Sequence, residues 1–458
     1  MHVSAIGGPS LGEAEAKSPL YVLFLAVVAA ISGFLFGFDT AVINGVLLFL
    51  RRQLSLSNIE TEVAASALLL GCLLGAAGAS LISDRVGRRK SLLLAAILFA
   101  ISTVGAALAN SVTMFSIGRL VGGLAIGLAS VTTPVYIAEV SPARSRGRLV
   151  SMNQLAIVVG ILAAYVVGWG LARLGDNSWR WMLGVAAIPA LAFFLGLLAI
   201  PESPRWLISN RQQEKGRRVL SRIYGVEQAD LQVKAVEEAA ASEQGTWSEV
   251  FARPMRRPLI VGLAIAVLCQ VTGINTVLYY GSILISEHFK GASLSAALMA
   301  NVIIGSCNFV CTLIALRCLD RWGRRTMLLT GTAGMAISLA LFVIAYRIPG
   351  ISPLLILACI MSYTGFYAFA MGPISWIVIS EIFPNKIRGR AASIATSTLW
   401  TSTLVVTFTF LSLVHALGVS GTFAIYTALC VVSLVFIWKM VPETRGKTLE
   451  QIQREWGA

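Results

Sequence analysis

Asp84-Arg85-Val86-Gly87-Arg88-Arg89 recurs almost unchanged as Asp320-Arg321-Trp322-Gly323-Arg324-Arg325 in the second half of the chain. Each copy closes a long apolar run. A second phrase repeats with it. Ile137-Ala138-Glu139 leads into Pro142 and Arg146-Gly147-Arg148, and Ile379-Ser380-Glu381 leads into Pro384 and Arg388-Gly389-Arg390. In both copies the glutamate precedes an arginine by seven residues. Two like halves in parallel order are the pattern of a transporter whose site lies where the halves meet.

Outward from these phrases, apolar segments of bilayer-spanning length fill the chain. They cover 20–50, 61–83, 91–110, 112–139, 149–172 and 180–200, then 257–286, 292–316, 327–346, 352–380, 391–416 and 420–441. The expected fold is therefore an all-α membrane protein, with twelve transmembrane helices in two pseudo-symmetric six-helix bundles. The domains expected are a bundle over 1–200, a linker with short amphipathic helices over 201–256, a bundle over 257–442 and a short tail over 443–458. Composition agrees. Of 458 residues, 57% are hydrophobic and 13% charged, against about 25% charged in soluble domains.

The net charge of +14 sits in short blocks between apolar runs, which favours a topology signal over a nucleic-acid-binding patch. With both termini cytoplasmic, 29 of the 36 lysines and arginines fall inside and six outside, while Arg119 lies within a span. This predicts an integral protein of the plasma (inner) membrane. The first 19 residues have neither the basic start nor the cleavage site of a signal peptide. Cys72, Cys269, Cys307, Cys311, Cys318, Cys359 and Cys430 fall in or beside apolar runs, with no metal spacing and no disulfide framework.

Further motifs narrow the reading. They are Gly37-Phe38-Asp39-Thr40 in the first span, and Gly118-Arg119 with Pro134-Val135-Tyr136-Ile137-Ala138-Glu139 in the fourth. Pro201-Glu202-Ser203-Pro204-Arg205 follows the sixth, Gln270-Val271-Thr272-Gly273-Ile274-Asn275 lies in the seventh, and Pro442-Glu443-Thr444-Arg445-Gly446 follows the twelfth. In combination and order these resemble the sugar porters of the major facilitator superfamily, the branch of bacterial sugar–proton symporters and facilitative glucose transporters. The resemblance covers nearly the whole chain. It implies a secondary transporter for a monosaccharide, hexose or pentose, coupled to protons.

Asp39 is the most informative residue. A carboxylate within a span costs roughly 2.5–3.5 kcal/mol on insertion scales, so it marks function and needs a partner. Arg119 is the one cation within a span, and opposed helix directions put the two at similar depth. A structural ion pair is one reading. The other is a proton site: burial disfavours the carboxylate ion and a guanidinium favours it, so water access switches its protonation. The resemblance supports the second, because facilitative glucose transporters generally carry an asparagine there.

The resemblance also implies a sugar site at Gln154, Gln270, Asn275, Asn308 and Trp376, with Phe36 and Tyr279 at neighbouring aromatic positions. Carboxamides both donate and accept, which suits hydroxyl pairs, and an indole offers an apolar face with one N–H. Each amide alone is equally explained as helix-to-helix glue. Gly273 and Gly372-Pro373 are expected to interrupt helices beside the cavity. Gly71-x-x-x-Gly75 and Gly123-x-x-x-Gly127 read as helix contacts. Two positions depart from the family pattern. Cys269 stands where a second glutamine is usual, and Leu399 stands where an amide is common.

Asp84, Arg85, Arg88, Glu139, Arg146, Asp320, Arg324, Glu381 and Arg388 resemble the family's cytoplasmic gate, a network expected to hold the halves together when the transporter opens outward. No Walker loop, zinc spacing or triad occurs, and His2, His288 and His415 lie near no nucleophile. The expectation is no enzyme, no metal and no cofactor. The partners expected are a monosaccharide, a proton and the bilayer, with no nucleic acid and no obligatory protein partner. A uniporter or exporter of another polar solute is the alternative. A sugar sensor is a third reading, disfavoured by the short tail.

Overall fold

The computed structural model describes residues 17–241, 246–288, 294–383 and 387–443, and among these every regular element is a helix. The amino-terminal half holds α1 (Pro19–Gln53), α2 (Asn58–Val86), α3 (Arg88–Ala107), α4 (Val112–Val140) and α5 (Ala143–Leu171). A sixth span is split into α6 (Ser178–Gly184) and α7 (Ala187–Ala199). Four short helices follow: α8 (Pro204–Ser209), α9 (Gln213–Tyr224), α10 (Val226–Ala241) and α11 (Trp247–Val250). The second half holds α12 (Arg256–Val271), α13 (Ile274–His288), α14 (Leu294–Trp322), α15 (Arg324–Tyr346), α16 (Pro353–Phe369), α17 (Met371–Glu381) and α18 (Arg388–Met440).

Among the described residues, eleven stretches are long and apolar enough to span a bilayer. The last, α18, contains two spans, because Gly418 sits inside it at φ 72°. That break falls between the expected eleventh and twelfth spans. The seventh span is interrupted at Gly273, φ 91°, as its sequence suggests. The tenth is interrupted at Ala370, just before Gly372-Pro373. Pro373 has no N–H to give the preceding turn, so the break lies upstream of it.

Twelve spans return the chain to the end from which it started. The Lys17 N–H bonds the Ile223 carbonyl of α9 at 2.9 Å, which ties the start of α1 to the helices of the linker. This is called the linker end below, and its opposite the far end.

Glycine faces set the tightest packing. A Cβ on Gly71 would strike the Leu120 carbonyl, and one on Gly123 would strike the Leu68 carbonyl. The two small-residue pairs thus bring α2 and α4 into backbone contact, a close approach that lipid-embedded helices use because no water drives them together. Leu81, Ile101, Ile117, Ile188, Leu195 and Ile344 stay exposed on the outside of the bundle, where hydrocarbon would meet them.

The repeated phrase has a repeated structure. Gly87 at φ 102° and Gly323 at φ 84° open α3 and α15. The Glu202 carboxylate accepts the Arg89 N–H at 2.9 and 3.1 Å. In the other half Glu443 accepts the Arg324 N–H at 2.9 Å and the Arg325 N–H at 3.2 Å. A carboxylate thus occupies the positive end of an equivalent helix in each half. The arginines reach on in parallel: Arg89 Nε to the Leu197 carbonyl at 2.7 Å, Arg325 Nη2 to the Trp438 carbonyl at 2.6 Å.

Candidate functional site

One cavity lies between the halves, and its wall includes Phe36, Gln154, Gln270, Asn275, Tyr279, Asn308 and Trp376. All seven sugar-site residues of the sequence are therefore neighbours. Phe36 comes from α1, Gln154 from α5, Asn308 from α14 and Trp376 from α17. Gln270 precedes the Gly273 break, and Asn275 and Tyr279 follow it. The break lets α12 and α13 both present polar groups to one space. The cavity measures about 110 Å³. One water needs 10–15 Å³ on that scale, so the space suits a small molecule with several hydroxyls.

The polar groups are unevenly committed. Asn275 Nδ2 donates to Gln270 Oε1 at 2.5 Å, so these two amides orient each other. Gln154 and Asn308 make no side-chain hydrogen bond to a described residue, which leaves their donors and acceptors to the cavity. The wall also includes Thr40, Thr403 and Trp400, which the sequence reading did not assign to it. Trp400 rests on the Phe36 ring, centroids 5.5 Å apart, and its Nε1 is buried without an acceptor among the described residues. Its one sequence signal was an indole beside the departure at Leu399. Of the two departures, Leu399 lines the cavity, whereas Cys269 is 1% exposed and turns its thiol to the Ala266 carbonyl.

Asp39 and Arg119 pair, as their helix directions imply. Arg119 Nη1 donates to Asp39 Oδ1 at 2.5 Å, and Nη2 donates to the Asp39 carbonyl at 2.8 Å. Arg119 is 1% exposed and Asp39 6%. Asp39 Oδ2 has no hydrogen-bond partner among the described residues. It lies over Gly122, where a Cβ would come within 3.3 Å. On α1 the pair is flanked by Phe36, Gly37 and Thr40 of the cavity wall.

Among the described residues, part of the expected gate comes together. Arg88 bonds Glu139 with two nitrogens, at 3.1 and 3.2 Å, and Asp84 at 3.0 Å. Ser203 donates to the same Glu139 at 2.5 Å. These contacts join the first turn of α3, the end of α4 and the start of α8. They lie within the amino-terminal half and its linker; the bridging of the halves expected of this network belongs to the state that opens outward. Arg85 is exposed, and Arg146 faces Arg205 and Tyr224. Arg324 holds the Leu319 carbonyl at 3.5 Å in addition to its backbone bond to Glu443. The side chains of Asp320, Glu381 and Arg388 lie outside the described residues, as does the tail beyond 443.

Bonds between described residues of the two halves gather at the far end. Asn44 Nδ2 donates to the Leu278 carbonyl at 2.8 Å, and Asn44 Oδ1 accepts the Ser282 N–H at 2.9 Å. Trp169 Nε1 donates to Ser295 at 3.2 Å, and Tyr165 donates to the Leu278 carbonyl at 3.3 Å. Glu62 of α2 binds Ser412 of α18. The sequence reading passed over Glu62, although a second carboxylate inside a span was visible.

Comparison with known proteins agrees with this architecture. The chain is 37% identical to the D-xylose–proton symporter of Escherichia coli K12 over 478 residues, covering 95% of this chain and 96% of that one. It is 38% identical to the major myo-inositol transporter of Bacillus subtilis, covering 95% and 94%. Its fold matches the structure of the proton:xylose symporter XylE bound to 6-bromo-6-deoxy-D-glucose, with a TM-score of 0.82 at 35% identity, covering 95% of this chain and 99% of that one. Residues 25–456 match the family model described as sugar (and other) transporter. With its two six-span halves and central cavity, this chain belongs to the sugar transporter family of the major facilitator superfamily.

Proposed function

We propose that the protein imports a monosaccharide, hexose or pentose, together with a proton, by exposing one cavity alternately to the two sides of the membrane. The observation that carries this is the Asp39–Arg119 pair, set on α1 between residues of the cavity wall. Gln154, Gln270, Asn275, Asn308 and Trp400 supply donors and acceptors for sugar hydroxyls, while Phe36, Tyr279 and Trp376 cover apolar ring faces. Asp39 Oδ2, which Arg119 leaves free, is the atom that takes the proton. Protonation there removes the carboxylate's charge and loosens its hold on Arg119, on the helix that also carries Phe36 and Thr40. The positive-inside pattern makes the linker end cytoplasmic, with both termini there, in the plasma membrane. In this conformer the outer side is pinned shut by the bonds of Asn44, Tyr165, Trp169 and Glu62.

A uniporter on the same fold is the second reading, and it gives no role to a buried aspartate. Proteoliposomes decide between them. Addition of substrate without a membrane potential should draw protons into the vesicles, and counterflow with labelled pentoses, hexoses and polyols identifies the substrate. Counterflow without proton entry would support the uniporter.

A further inference from the structure

Glu62 is a buried carboxylate that proton coupling does not use. It stands one turn inside the outer end of α2 and is 1% exposed. Among the described residues it forms no ion pair. Its Oε1 accepts the Ser412 N–H at 2.7 Å and its Oε2 pairs with the Ser412 hydroxyl at 2.8 Å. Tyr280 packs nearby but commits its hydroxyl to the Thr407 carbonyl at 3.0 Å. Removing a carboxylate from water without a counter-ion is costly unless hydrogen bonds replace the lost hydration. Both bonds that do so come from one residue, and that residue belongs to the opposite half.

This separates Glu62 from the other polar contacts of the outer seam. Tyr165 and Trp169 each reach the other half with one bond, and Asn44 divides its bonds between Leu278 and Ser282, whereas Glu62 sets both carboxylate oxygens on one residue. When the halves rock apart on the outer side, α2 and α18 separate and the two bonds break together. An interaction present in one state and absent in the other shifts the balance by its full strength, whereas a bond inside one half shifts nothing.

We propose that Glu62 is a positioning residue of the outer gate, a two-pronged clasp on Ser412 that sets how much of the protein rests outward-closed. The inference builds on alternating access of the central cavity, but it requires neither a particular sugar nor proton coupling. It rests on the geometry of the carboxylate oxygens. Glutamine, which offers one acceptor for the N–H and one donor for the hydroxyl, can therefore replace Glu62, and alanine cannot.

The test is the distance distribution between spin labels at Asp176 and Ile348, exposed outer positions in opposite halves, in purified protein without sugar. Glu62→Ala should lower the ratio of outer-closed to outer-open molecules about ten-fold or more, the loss expected for two hydrogen bonds. Glu62→Gln should stay within about three-fold of the parent protein, and Ser412→Ala, which keeps the N–H, should fall between them. An unchanged distribution in Glu62→Ala, or a shift in Glu62→Gln as large as in Glu62→Ala, overturns the proposal. If Glu62→Ala does not accumulate in the membrane, Ser412→Ala decides: a longer outer distance supports the clasp, and the parent distribution overturns it. The measurement uses no gradient and no substrate, so its outcome is independent of the coupling assay.

Discussion

Arg119 grips Asp39 twice, once at the carboxylate and once at the backbone carbonyl of the same residue, 2.5 and 2.8 Å away. The second bond does not depend on the side chain. Asp39→Asn should therefore keep α1 against α4 and preserve sugar exchange, while removing the proposed proton acceptor. The expected result is loss of uphill accumulation with counterflow retained. Uphill uptake by this variant, measured against an imposed pH gradient, would sink the coupling assignment.

The sugar site should show both independent and coupled losses. Gln154→Ala should weaken sugar binding by about 0.5–1.5 kcal/mol, the usual range for one neutral hydrogen bond. Gln270→Ala and Asn275→Ala should each do the same or more. Their double variant should lose less than the sum, because Asn275 holds Gln270 at 2.5 Å and removing either frees the other. Titration calorimetry with the transported sugar measures all four proteins. Additive losses would show that the pair does not act as a unit.

Trp400 separates ring contact from hydrogen bonding. Trp400→Phe keeps an aromatic face on Phe36 and deletes the buried Nε1 donor. It should lower sugar affinity by about the same 0.5–1.5 kcal/mol, with little change in melting temperature. Unchanged affinity would mean that the indole N–H serves no ligand.

Gly87 and Gly323 should be equally intolerant of a side chain. Each has positive φ, and a Cβ on either would press on a carboxylate, Glu202 or Glu443. Their backbone, with ψ of 159° and 153°, lies in a region open essentially only to glycine, which costs other residues on the order of 1–3 kcal/mol. Gly87→Ala and Gly323→Ala should each lower the thermal midpoint of detergent-purified protein, and a parent-like midpoint in both would contradict the capping geometry.

The linker has its own pH response. Arg217 bonds both oxygens of Asp230, at 2.5 and 3.0 Å, joining α9 to α10. Those hydrogen bonds hold the Asp230 carboxyl below its ordinary value. A depressed carboxylate stabilises its contact above its ordinary range, and the contribution disappears as pH falls through the lowered value. Protection of the α10 amides should therefore persist in mildly acidic buffer and weaken only below the ordinary aspartate range, at about pH 4 and under, and Asp230→Asn should abolish that dependence. The pair is exposed, so the effect should be small.

The membrane architecture is legible because spanning helices need about 20 apolar residues, whatever their neighbours. The halves are legible because Gly87 and Gly323 open equivalent helices, and the acidic residues that cap them, Glu202 and Glu443, stand in motifs at matching places. Gly273 and the gap before Ser420 marked helix breaks by residue type alone. The position of the tenth-span break was displaced to Ala370, since Pro373 disturbs the turn before it and not its own position.

Seven scattered residues could be assigned to one sugar site only through the family resemblance, and nothing in their spacing required Phe36 and Trp376 to meet. The roles of Trp400 and Glu62 depended on the tertiary structure for the same reason. In a soluble helix the buried face is apolar and the outer face polar, so rotation can be read from the pattern. In a membrane helix both the lipid and the packed core accept apolar side chains, and the contrast vanishes. Sequence therefore determined how many times this chain crosses the bilayer and that its halves repeat. Only the packing of the helices decided which way each one turns: Trp400 into the cavity, Cys269 away from it, and Glu62 across the seam to Ser412.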